Sequence, residues 1–191
     1  TAWTAQSDQA EADFGYSVGT AGDVNRDGYD DIIVGAPNYD NGETDEGAAF
    51  VYHGSSSGLI TDPSWMAESN QIGAMFGISV GTAGDVNGDE YDDIIVAAVL
   101  YNNDQTDEGA VFVYQGSPSG LSIAPSWGAE GNQTEAFFGC SVGTAGDVNG
   151  DGYDDVIVGA MHYDNGQSNQ GKTFVYYGSA SGPAPLPSWT A

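Results

Sequence analysis

The stretch of this chain richest in potential chemistry is DVNRDGYDD, residues 23–31. Asp23, Asn25, Asp27 and Asp31 place side-chain oxygens at positions one, three, five and nine of a short loop. Carboxylates this close repel one another unless a cation lies among them or water covers them all. Oxygen donors at alternate positions suit a hard ion of calcium size, which takes about six to eight oxygens. The backbone carbonyl of Tyr29 would add a donor, and Gly28 would supply the sharp turn. Magnesium suits less well, because it prefers octahedral geometry and retains several waters. The loop is not an EF-hand. Val34 stands at the twelfth position, where an EF-hand has a bidentate Glu and enters a helix.

The same donors return as Asp85, Asn87, Asp89, Tyr91 and Asp93, and again as Asp147, Asn149, Asp151, Tyr153 and Asp155. The alternative for a single copy is a solvated Asn/Asp-rich turn. Three copies with the same four donor positions favour metal, at about three calcium ions per chain. Asp30, Asp92 and Asp154, at the eighth position, are expected to face solvent. Glu90 occupies the sixth position of the second loop, where the other loops have Gly28 and Gly152. If that position has positive φ, a residue with a Cβ costs about 1 kcal/mol there. The second site is therefore expected to bind calcium more weakly.

What positions these loops is a threefold repeat. Phe14-Gly15, Phe76-Gly77 and Phe138-Gly139 recur every 62 residues, as do Trp3, Trp65, Trp127 and Trp189. The whole chain, 1–191, reads as one domain of three repeats, 1–62, 63–124 and 125–186, with PSWTA at 187–191 opening a further one. Each repeat is all β. FGYSVGT, DDIIVGA and GAAFVYHG are short β-branched or aromatic runs, and PSWMAE offers a fourth. Gly, Asn, Asp and Ser clusters separate them, and no sustained helical period is present. Four short strands per repeat predict a β-propeller of four-stranded blades. Trp3, Trp65 and Trp127 are expected to pack between neighbouring sheets, with stacking on sugars as the alternative.

Composition removes several functions. The chain carries 28 acidic residues against two basic ones, Arg26 and Lys172, for a formal charge of −26. Nucleic acid needs Lys and Arg at its phosphates, and anionic membranes need the same. No apolar stretch approaches the roughly 20 residues of a membrane helix, so membrane insertion is not expected. The single cysteine, Cys140, excludes an intramolecular disulfide and is expected to be packed, like Tyr16 and Ile78 at the matching positions. An enzyme is not expected. His53 and His162 are the only histidines, and no nucleophile, zinc or phosphate-loop motif is present.

Phe14-Gly15, the acidic loop and Gly35-Ala36-Pro37, in that order, resemble the FG-GAP repeat of integrin α-subunit propellers and many bacterial surface proteins. The third element departs, reading Ala97-Ala98-Val99 and Gly159-Ala160-Met161 in the other copies. The resemblance implies blades around an axis, with calcium loops joining the first two strands of each blade on one face and ligands meeting the opposite face. That face would carry Tyr39, Tyr101, Tyr163 and His162 among amides and acids. The expected function is a calcium-binding, extracellular or surface-exposed adhesion module with a protein or glycan ligand. The alternatives are a calcium-dependent lectin and an engineered or excised fragment with no ligand. Three blades do not close a propeller, which takes about four to eight. The chain is therefore expected to form a homodimer that closes a six-bladed ring. Trp3-Thr4-Ala5 and Trp189-Thr190-Ala191 spell the same strand and compete for one place in it.

Overall fold

The computed structural model describes residues 3–191; Thr1 and Ala2, which open the first repeat, lie outside them. Twelve strands form three separate antiparallel sheets of four. The first sheet is β1 (Ser17–Gly22), β2 (Asp31–Ala36), β3 (Ala48–Tyr52) and β4 (Trp65–Glu68), in that order. The second is β5 (Phe76–Gly84), β6 (Asp93–Ala98), β7 (Ala110–Tyr114) and β8 (Trp127–Glu130). The third is β9 (Phe138–Gly146), β10 (Asp155–Ala160), β11 (Lys172–Tyr176) and β12 (Trp189–Thr190). These are three propeller blades.

The blades are offset from the sequence repeats. Each takes its fourth strand from the repeat that follows, so β4 lies past residue 62 and β12 lies in the closing PSWTA. Val51 pairs with Trp65 and Val175 with Trp189 in the same register.

Two of the three core clusters lie between blades, and the third, Val34, Ala36, Ala48, Phe50 and Tyr52, lies on the far face of the first blade. One cluster joins Ile33, Ala49 and Val51 of the first blade to Val80, Ile94 and Val96 of the second. The next joins Ile95, Val111 and Val113 of the second blade to Val156 and Val158 of the third. Alternate residues of β6 thus serve opposite joints, which is why that strand is apolar after Asp93 and buried at all six positions. Close approach needs small residues. A Cβ on Gly35 would lie 1.9 Å from the carbonyl oxygen of Gly77 in the next blade.

The tryptophans fill the joints. Trp65 packs edge-on against Tyr114 with centroids 4.8 Å apart, and its Nε1 donates to the carbonyl of Ser122 at 2.9 Å. Trp127 repeats this on Tyr176 and Ala184. Trp3 does so on Tyr52 and Ile60, and Ala5 and Phe14 pack on the same face of the first blade.

Candidate metal centres and the joints that hold them

Each acidic loop connects the first two strands of its blade, and its first aspartate is the organiser. Asp85 accepts hydrogen bonds from the N–H of Gly88, Asp89 and Glu90 at 2.7–3.0 Å. Asp147 does the same with Gly150, Asp151 and Gly152, and Asp23 with Asp27 and Gly28. These donors, Gly152 foremost, hold the Asp147 carboxyl below the ordinary carboxylate value. The third and fifth positions turn the chain further. Asn25 accepts from Asp27 N–H, and Asp27 from Tyr29 N–H; Asn87 with Asp89 and Asn149 with Asp151 do likewise.

Two loop positions take positive φ, which favours glycine. At the sixth, Gly28, Glu90 and Gly152 have φ of 90°, 72° and 91°. At the fourth, Arg26 carries φ of 57° where the other loops have Gly88 and Gly150. The two non-glycine exceptions, Arg26 and Glu90, form an ion pair across the first joint.

The ninth-position aspartates are fully buried. Asp31 accepts from Val24 N–H at 3.1 Å and Gly54 N–H at 2.8 Å, tying the loop to the end of β3. Asp93 and Asp155 make the matching pairs with Val86 and Gly116, and with Val148 and Gly178. Burial outweighs these bonds. It raises the Asp31 carboxyl and pushes Asp93 up to about 7. Among the described residues, no three His, Cys, Asp or Glu side chains converge as a cage around a metal. Their oxygens are turned to loop N–H groups instead. The donor set nonetheless fits a hard cation: all are oxygens, each carboxylate oxygen has lone pairs beyond its N–H bonds, and Asp93 is buried beside Asp85 and Asp89 with no positive charge among the causes of its shift.

The eighth-position aspartates do not all face solvent. Asp92 Oδ2 accepts the N–H of Asp23, at 2.8 Å, from the preceding blade, and Asp154 Oδ2 accepts that of Asp85 at 3.0 Å. The return bonds, Asp92 N–H to Asp23 carbonyl and Asp154 N–H to Asp85 carbonyl, measure 3.3 and 3.0 Å. Only Asp30 is exposed as expected, because no described blade precedes it. Spacing within a loop carried no signal of these partners, which lie 69 residues away. His53 was also unforeseen. Its Nδ1 accepts from the Asn25 amide at 3.2 Å, the place that Asp89 and Asp151 take for Asn87 and Asn149.

On the opposite side, Tyr39, Tyr101 and Tyr163 are packing residues, set edge-on to Phe50, Phe112 and Phe174. His162 packs against Phe137 with the two rings tilted by 40°. Glu46 and Glu108 are fully buried and accept loop N–H groups, those of Asn41 and Glu43 and of Asn103, Asp104 and Gln105. Cys140 is half-buried, and burial raises its thiol, so it is a poor nucleophile.

The FG-GAP repeat pattern matches residues 14–52, 76–114 and 138–176, running in each blade from the Phe-Gly pair to the end of the third strand. The chain belongs to the FG-GAP repeat family. It is 31% identical to integrin alpha-5 of Xenopus laevis over 189 residues, 93% of this chain and 17% of that protein. It is 35% identical to integrin alpha-8 of Mus musculus over 178 residues, 88% of this chain and 16% of that one. Integrin alpha-7 of Mus musculus is 36% identical over 149 residues. The chain thus spans a small fraction of these relatives. No helix among the described residues is long and apolar enough to cross a membrane.

Proposed function

We propose that this FG-GAP chain is a calcium-binding propeller module that works outside the cell or on its surface, in adhesion or a related interaction. The observation that carries the calcium reading is the thrice-repeated loop with a carboxylate buried at its base, while the one basic residue in these loops, Arg26, pairs with the exposed Glu90. Asp23, Asn25, Asp27, Asp31 and the Tyr29 carbonyl would hold the first ion. Asp85, Asn87, Asp89, Asp93 and Tyr91 would hold the second, and Asp147, Asn149, Asp151, Asp155 and Tyr153 the third. Bound calcium would supply the charge that offsets the clustered carboxylates; the role is structural. Sites of this type fill more readily at millimolar extracellular calcium than in cytosol. The integrin alpha relatives support an adhesive role and a surface location. An enzyme is disfavoured, since the acidic loops are taken up by their own backbone and the histidines lie apart.

Calorimetric titration of calcium into the metal-free chain tests this, alongside thermal melting with calcium and with chelator. Saturable binding at about three sites and a raised melting temperature are expected. A melting temperature unmoved by chelator, with the metal confirmed removed, would defeat the reading. The ligand is proposed to be a protein or a glycan. Because Trp65 and Trp127 are spent on the joints, a lectin would have to use other groups. A glycan array run with calcium and with chelator separates the two.

A further inference from the structure

The two internal joints share the same set of backbone and aspartate bonds, and the outer faces of the first and third blades carry the two unmatched halves of that joint. In each joint the preceding loop receives the next blade's aspartate, and the second residue of that loop, Val24 or Val86, is fully buried and accepts an N–H from Ser117 or Ser179. Ser17 and Ser79 hydroxyls accept from Val80 and Val142 N–H. At the open end, Val148 is 57% exposed, and Ile157 is 36% exposed where Ile33 and Ile95 are 0%. At the opposite end, Val18 is 68% exposed where Val80 is 7%. An apolar groove there is lined by Phe14, Val18, Ile32 and Val34.

The glycines show the same vacancy. A Cβ on Gly22 would lie 2.3 Å from the Asp92 carboxylate, and one on Gly84 2.2 Å from that of Asp154. A Cβ on Gly146 meets nothing within 4 Å. Asp30, the one eighth-position aspartate without an N–H to accept, is the missing carboxylate.

We infer that a second copy of this chain seats its first blade on the third blade of the other, with the partner's Asp30 accepting the N–H of Asp147 and so completing the third acidic loop. Continuity with the internal joints carries the choice of occupant: each chain already presents both halves on the same fold. Two such joints related by a twofold axis close a ring of six blades, within the known propeller range. Trp189 would then reach for Tyr52 of the partner, the place that the partner's Trp3 occupies, so one of the two strand copies must yield.

Sedimentation equilibrium at micromolar concentration, in calcium and again in chelator, tests the joint. The expected mass is about twice 19.7 kDa. Val18→Lys and Ile157→Glu lie on exposed faces of the single chain and should each give a folded monomer, verified by circular dichroism. Asp30→Ala should weaken self-association about tenfold or more, the loss of a charged hydrogen bond. A folded wild-type monomer, any mass other than two chains, or a dimer indifferent to all three substitutions overturns the inference. The mass is read independently of calcium binding, so a dimer that takes up no calcium would refute the metal reading alone.

Discussion

Asp93 shows what a single buried carboxylate does to stability. Its carboxyl is pushed from 3.8 to about 7 by burial, against hydrogen bonds from Gly116 and Val86. The folded state therefore holds this proton more tightly than the unfolded chain. The stability contributed by the protonated group is fully present below 3.8 and is lost as pH rises through about 7. In chelator, wild-type protein should gain thermal stability relative to Asp93→Asn as pH falls from about 8 toward 5. Calcium should flatten that difference by stabilising the charged form. Melting curves of both proteins across this range, with and without calcium, check it. Glu90 makes a second case. Its φ of 72° is strained, and Glu90→Gly should relieve about 1 kcal/mol of that cost. It also removes the exposed pair with Arg26, worth about 0–1 kcal/mol. The net gain in urea stability should therefore be below about 1 kcal/mol, whereas calcium affinity at the second loop should rise; unchanged calorimetric affinity there contradicts the strain account.

At the scale of the element, equivalent positions sit in different surroundings. Ile95 of β6 is fully enclosed by the second joint, while Ile157 of β10 faces outward. Ile95→Ala should cost about 2–5 kcal/mol, and Ile157→Ala well under half of that when measured on dissociated chains by urea unfolding. Comparable losses would mean that Ile157 is already buried by something else. The eighth-position aspartates give the polar counterpart. Asp92→Ala strands the Asp23 N–H in a half-buried joint and should cost about 1–3 kcal/mol. Asp30→Ala should leave the dissociated chain unchanged. The strands themselves record their neighbours. β5 and β9 run nine residues, β1 only six. Phe76 N–H and Phe138 N–H each bond a preceding blade, at Glu46 and Glu108, whereas no blade precedes Phe14 among the described residues.

For the whole molecule, three sheets with cores between them form an array in which each blade stabilises the next. Calcium bound as proposed would add to this by mass action. At free calcium about 100-fold above Kd, each occupied site should contribute roughly 2.7 kcal/mol, which chelation removes. Replacing Asp23, Asp27 or Asp31 with Ala should reduce the calcium-dependent rise in melting temperature more than replacing Asp30 does. Equal effects would place the ion elsewhere.

The sequence alone determined the local chemistry. Donor spacing of one, three, five and nine, the 62-residue period and short β-branched runs are properties of neighbouring residues, so they specified loops, strands and blades without knowledge of any distant contact. The positive φ at Glu90 was legible for the same reason, by comparison with Gly28 and Gly152. Tertiary structure decided everything that crosses a joint. The fourth strand belongs to the blade before its own repeat, because Trp65 and Trp189 pair with strands already laid down. Tyr39 and its counterparts became packing residues because a phenylalanine of the same sheet lies beneath each ring. Asp92 and Asp154 turned from solvent to the preceding loop because a backbone N–H 69 residues away needed an acceptor, and no pattern along the chain states which groups will meet across that distance.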